Sequence, residues 1–142
     1  MLKNVWLEAG EDYSASKEVR VSVFVDEQKY PISEEFDEHD KTCPHLVIFD
    51  GEKPVATGRI FIIENNTAKL SRIAVLKEYR GKHLGAEVMN ALIERAREMN
   101  ASSVYISAQT YAVPFYEKFG LKAYSEEYFD IHIPHRDMKM DL

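Results

Sequence analysis

The sequence predicts an α/β (α+β) fold: a mixed, mostly antiparallel central sheet with one parallel strand pair near its centre and helices on both faces. Three observations carry this. Two turn signals, Asp50-Gly51 and Asn65-Asn66, divide residues 45–76 into three β-rich runs, the pattern of an antiparallel meander. The last run leads into a strand–helix–strand succession, which requires a parallel pair and a right-handed crossover. A β-rich tail around Pro134 then suits a closing hairpin.

In chain order, NVWLEA (4–9) alternates well enough for a first strand. Asp12 is a plausible N-cap, and Val19, Val23 and Phe24 follow at helical spacing up to about Glu27. An acidic, Pro-containing loop comes next. HLVIFD (45–50), PVATGRIFII (54–63) and TAKLSRIAVL (67–76) form the meander. Between His83 and Met99, Leu84, Val88, Leu92 and Met99 share one stripe while Glu87, Glu94 and Glu98 lie off it, so this helix is the clearest in the chain. Val104-Tyr105-Ile106 marks the following strand. A short helix over Val113–Lys118 stops at Gly120, and LKAYSEEYFDIHI with HRDMKMDL closes the chain. The length of 142 residues and 45% hydrophobic content suit one domain over 1–142 with a single core.

No apolar run approaches the roughly 20 residues that cross a bilayer, and MLKNVWLEAGED lacks a secretory h-region, so a soluble, cytoplasmic protein with no membrane partner is expected. Cys43 is the sole cysteine, which excludes an internal disulfide and a multi-cysteine zinc site and leaves a structural thiol as the expectation. The net charge of −6 argues against a nucleic-acid partner. Its distribution is uneven: Asp26, Glu27, Glu34, Glu35, Asp37, Glu38 and Asp40 stand against Lys29 alone, while the remaining 17 acids and 17 bases cancel.

The turn between the meander and the main helix carries Arg80, Gly81, Lys82, His83 and Gly85, yet it matches neither G-x-x-x-x-G-K-[ST] nor G-x-G-x-x-G. A helix start leaves backbone N–H groups unpaired and carries partial positive charge; glycines admit a bulky anion, and Arg and Lys add charge-assisted hydrogen bonds. Such a turn suits a phosphate or pyrophosphate. Without a hydroxyl and carboxylate placed for Mg²⁺, the anion reads as a binding handle, as in coenzyme A. A merely solvated connection is the plain alternative.

The pattern R-I-A-V-x-x-x-Y-R-G-K-x-L-G, followed by A-Q-x-x-A-x-P-F-Y-E-K-F-G-L, resembles the GNAT superfamily of acyl-CoA-dependent N-acyltransferases over roughly residues 45–125. FVDEQ…EEFDEHD and IPH resemble a small prokaryotic subgroup with undefined acceptors. The resemblance implies a parallel pair that splays apart to admit acetyl-CoA as co-substrate. Ile73 and Val75 then offer main-chain groups to pantetheine, Ala74 offers an oxyanion-binding amide, and Arg80, Gly81, Lys82, His83, Leu84 and Gly85 form the pyrophosphate loop. It also implies that Phe115 and Tyr116 lie beside the thioester, with Tyr116 as general acid; as a bare residue, Tyr116 reads equally as a core aromatic. One departure stands out: His83 fills a slot that relatives often give to glycine.

Acyl transfer to an amine needs a deprotonated amine, a stabilised oxyanion and a proton for the departing thiolate. Many relatives place a glutamate where this chain has Ser71, so the base candidates are Glu27, Asp37, Asp40, His45 and His135, with solvent as a further route. For the acidic segment, a groove cover in which Glu34, Glu35, Asp37 and Asp40 attract a cationic amine competes with a solvated loop. A Ca²⁺ or Mg²⁺ site is disfavoured because EEFDEHD lacks the D-x-[DN]-x-[DN]-G spacing, and no metal is expected. The expected function is transfer of an acetyl group from acetyl-CoA to a small-molecule or peptide amine in a ternary complex, with a homodimer common among relatives. The alternatives are a non-catalytic CoA-binding sensor or regulatory module and a phosphoanion-binding interaction domain unrelated to CoA.

Overall fold

The computed structural model describes all residues, Met1–Leu142. Eight strands form one sheet: β1 (Leu2–Leu7), β2 (His45–Asp50), β3 (Lys53–Ile63), β4 (Thr67–Val75), β5 (Ser103–Gln109), β6 (Lys122–Ala123), β7 (Tyr128–Asp130) and β8 (Ile133–Asp141). Their order is β1-β2-β3-β4-β5-β8-β6, with β7 hairpinned onto β8. Every pairing is antiparallel except β4 with β5, so the expected meander, parallel pair and closing hairpin are all present.

Helices α1 (Ser14–Arg20), α2 (Ile32–Glu35), α3 (Leu84–Glu98) and α4 (Val113–Glu117) complete the fold. Asp12 sits one residue outside the cap position, where its carboxylate accepts from Ser14 N at 2.9 Å and Ser14 Oγ at 2.5 Å. The predicted helix runs to Glu27, but its second half, Val21–Glu27, winds as a π-helix, with Gln28 N donating to Val23 O at 3.0 Å. Val21, Val23 and Val25 are β-branched and crowd a normal α ladder, and the wider turn accommodates them. The acidic segment is not one open loop. It holds α2 and a 3₁₀ turn, Glu38–Lys41, closed by a reciprocal cap in which Asp37 accepts from His39 N and Asp40 accepts from Asp37 N.

Alternation along β3 sends adjacent residues to opposite faces. Thr57 meets α1, bonding Ser16 Oγ at 2.7 Å, while Gly58 faces α3 so closely that a Cβ there would lie 2.8 Å from Leu92 and 2.9 Å from Val88. Helices therefore cover both faces, with Leu46, Ile48, Ile60, Leu70, Met89, Leu92 and Met138 fully buried between the layers.

Two irregularities open the sheet. The parallel pair holds for only three rows, Thr67↔Ser103, Ala68↔Val104 and Lys69↔Tyr105, although β4 continues to Val75 and β5 to Gln109. Beside the opening, β4 bulges against β3: the register passes from Arg59↔Ser71 to Thr57↔Ala74, so Arg72 and Ile73 together oppose Gly58. Arg72 takes φ of 55°, a left-handed conformation that a side chain adopts only under constraint.

Candidate active site

The gap between the parting strands is a cavity of about 680 Å³. β4 supplies Leu70 to Val75, β5 supplies Ile106, Ser107 and Gln109, and the turn before α3 supplies Arg80, Gly81 and His83. Leu84, Gly85 and Ala86 in the first turn of α3, Phe115 and Tyr116 in α4, and Val23 and Phe24 in the π-helix complete this end.

The turn owes its shape to two left-handed residues, Gly81 at φ 80° and His83 at φ 64°. His83 thus adopts, as a histidine, a conformation that glycine takes without strain. No side chain caps α3, whose first-turn residues border the cavity, and Gly85 lets the Phe115 ring pack against it: a Cβ there would lie 3.2 Å from Phe115 Cζ. Uncapped amides, a basic turn and parted strands fit the diphosphate and extended arm of coenzyme A. The cations around the turn are arranged unevenly. Arg80 is oriented by Glu27 through two bonds of 2.6 and 2.7 Å and donates from Nε to Val75 O at 3.0 Å. Lys82 lies outside the cavity lining, its ammonium 5.1 Å above the Tyr79 ring.

Tyr116 borders the cavity with only 9% of its surface exposed, and burial pushes its phenol well above the ordinary tyrosine range. The phenol therefore keeps its proton at neutral pH. Cys43 is buried away from the cavity, and burial pushes its thiol up to about 11.

The acidic segment corrects several expectations. Of Glu27, Glu34, Glu35, Asp37 and Asp40, only Glu35 borders the cavity. Glu27 is committed to Arg80, whose hydrogen bonds hold its carboxyl below the usual range, so it is a poor base. Asp40 accepts from Arg20 Nη1 at 2.6 Å and Arg59 Nη1 at 2.8 Å. Asp37 accepts from both Arg59 terminal nitrogens at 2.7 and 2.9 Å. Burial alone would raise both aspartates, but these arginines overcome it and keep the carboxyls ionised. Glu35 Oε2 lies 2.8 Å from Arg20 Nε and 3.2 Å from Arg72 Nε; here desolvation prevails, and its carboxyl is raised. Three acids are thus matched by three arginines from α1, β3 and β4 in a largely buried network. Those three acids offer no free negative field to a cationic acceptor, and Glu34 and Glu38 are exposed outside the cavity.

His45 is also displaced from the expected role. It lies 1% exposed outside the cavity, stacked on Tyr13 at 4.9 Å, and its Nε2–H donates to Asp40 O at 2.8 Å. Burial holds its pKa below the ordinary histidine value. His135 does reach the cavity, with Nδ1–H donating to Ile133 O at 2.8 Å. Ser71 Oγ accepts from Arg59 Nε at 2.9 Å, leaving its own O–H free to donate.

The cavity wall also contains residues that received no role from the sequence. Tyr30 donates to Asp130 at 2.5 Å, Gln28 and Gln109 pair through their amides, and Lys69, Arg72 and Ser107 line the wall. Lys69 and Arg72, charges inside one strand, and Arg72 and Gln109, letters of the two motifs, were the signals in the sequence; Tyr30, Gln28 and Ser107 gave none.

The acetyltransferase (GNAT) domain family model matches residues 11–142. The chain belongs to the GNAT acetyltransferase family. Among GNAT relatives, it is 45% identical over 124 residues to the uncharacterized N-acetyltransferase YjcF of Bacillus subtilis, covering 87% of this chain and 88% of that one. An acyl-CoA N-acyltransferase from Pseudomonas aeruginosa superposes with a TM-score of 0.89 at 26% identity, covering 98% of this chain and 99% of that one. Escherichia coli ElaA superposes with a TM-score of 0.87 at 27% identity, with the same coverage of 98% and 99%. As a GNAT protein this chain is an N-acetyltransferase, and its co-substrate is an acyl-CoA.

Proposed function

We propose that one catalytic domain spanning residues 1–142 moves an acetyl group from acetyl-CoA to a primary amine by direct transfer in a ternary complex. The observation that carries this reading is Tyr116, a buried phenol that retains its proton at the edge of a cavity floored by the uncapped start of α3. Acetyl-CoA supplies the activated acyl group as a thioester. Arg80, Gly81, His83, Leu84 and Gly85 hold the diphosphate end, with Lys82 adding charge from outside, and the freed β4 edge from Ile73 to Val75 aligns the arm. The Ala74 amide faces developing negative charge on the carbonyl oxygen. Tyr116 O–H donates to the departing sulfur. The attacking amine gives its proton to water within reach of Glu35 and Ser71. Cys43, buried outside the cavity with its thiol raised, supports direct transfer without an acyl-enzyme. A cytoplasmic location and a homodimer belong to this reading and rest on the sequence and its family.

The test pairs calorimetric titration with thiol release. Tyr116→Phe is expected to lower kcat about 100-fold or more, the usual contribution of a general acid, while the Kd for acetyl-CoA stays within about twofold. Absence of saturable acetyl-CoA binding to the wild type would overturn the assignment.

A further inference from the structure

Lys69 occupies the last row in which β4 and β5 are paired, between Phe61 on β3 and Tyr105 on β5. Its ammonium lies 6.0 Å from the Phe61 ring centre and 5.8 Å from that of Tyr105, on the wall of the cavity. It joins none of the ion pairs of the molecule. The groups whose fields reach it are Arg59 and Arg72, which repel, and Asp37 and Asp137, which attract. Both acids are engaged elsewhere: Asp37 with Arg59, and Asp137 with the hydroxyls of Tyr105 and Tyr128 at 2.7 and 2.6 Å. Half-burying a cation beside two like charges, with no counter-ion in contact, is unfavourable; burial already lowers the Lys69 pKa, and an arriving anion would hold the ammonium charged.

The two carboxylates on the cavity wall do not supply that anion. Glu35 is held by Arg20 and Arg72, and Asp130, which accepts from the Tyr30 hydroxyl, makes no ion pair with Lys69. A purely cationic acceptor would bring further positive charge toward Lys69 and Arg72. One free hydroxyl instead adds to a pocket for negative charge. Ser71, two residues along β4, faces the same side as Lys69 and keeps its O–H free, whereas Ser107, across the split on β5, donates its own to Tyr128, which in turn donates to Asp137.

We propose that the acceptor is an amine that also carries a carboxylate, of the free amino-acid type, and that Lys69 with Ser71 binds that carboxylate. This rests on the acyltransferase reading above and replaces the acidic-groove expectation with its opposite charge. The amine end then points along β4 toward Ala74, and the carboxylate end anchors where the strands meet.

The experiment measures thiol release by the purified full chain with saturating acetyl-CoA. The acceptors are a panel of free amino acids, the corresponding amino-acid amides and the corresponding decarboxylated amines. At least one free amino acid is expected to show kcat/KM about tenfold or more above its amide and its decarboxylated analogue, the worth of one charge-assisted hydrogen bond. Lys69→Met is expected to raise KM for that acid about tenfold more than for its amide, and Lys69→Arg to restore most of the preference. Amides or decarboxylated amines used as well as the acids, or equal losses across the panel in Lys69→Met, would overturn the proposal. So would turnover of no panel member by a protein that binds acetyl-CoA. Failure to bind acetyl-CoA at all would instead overturn the reading beneath it.

Discussion

His83 shows how one side chain can carry a visible cost. Its φ of 64° places a Cβ where L-residues are strained by about 1–2 kcal/mol, at the turn that leads into α3. His83→Gly removes the strain but adds about 0.5–1 kcal/mol of unfolded-chain entropy, so urea titration should show a net gain of up to about 1 kcal/mol. The place of Tyr116 on the cavity wall was legible because a motif surrounds it. His45 and Asp37 were not: their types suit base chemistry, but that role depends on neighbours distant in sequence. Tyr13 and the Asp40 carbonyl enclose His45, and Arg59, 22 residues away, claims Asp37. No local pattern announces such burial.

The elements followed their periodicities where these were long. The meander, α3 and the crossover could be read because turn pairs and a repeated apolar stripe are local signals. The π-winding of Val21–Glu27 and the short helices at 32–35 and 38–41 could not, since a change of ladder or a single turn leaves no period to detect. Gly58 offers a test of how tightly α3 lies on the sheet. Gly58→Val would drive methyl groups into Leu92 and Val88 from an initial Cβ contact of 2.8 Å, at a cost of about 1–3 kcal/mol. Because the first turn of α3 borders the cavity, the same variant is expected to weaken acetyl-CoA binding, read by calorimetry beside a denaturant curve.

Taken together, three of the seven acids of residues 26–40 turn inward, while Asp26, Glu27, Glu34 and Glu38 stay exposed. Arg20, Arg59 and Arg72 neutralise Glu35, Asp37 and Asp40 and pin that segment over β3 and β4. Asp40→Ala would take one carboxylate partner from each of two buried guanidiniums and leave Glu35 and Asp37 as the others, and denaturant unfolding should show a loss of about 3 kcal/mol, the low end for a broken buried pair. The pH dependence has a definite sign. The folded pKa of His45 is depressed, so its contribution is full above the ordinary histidine value of about 6.5 and is lost as pH falls through the folded value. Asp37 and Asp40, also depressed, act in the same direction in stronger acid, whereas raised Glu35 favours the fold below its ordinary value and loses that contribution as pH rises through the folded one. The His45 contribution should therefore fall from pH 7 to 5, seen as a thermal midpoint that changes less favourably over that range in the wild type than in His45→Gln, with Glu35 acting in the opposite sense in both. The three-row limit of the parallel pair bears on a different observable. Past Lys69, β4 keeps β3 on one side but meets no peptide neighbour on the other, so a pantetheine chain with its own amides can act as the missing strand. Deuterium uptake by residues 70–75 should then slow when acetyl-CoA is added, as though the protein had borrowed part of its sheet from its substrate.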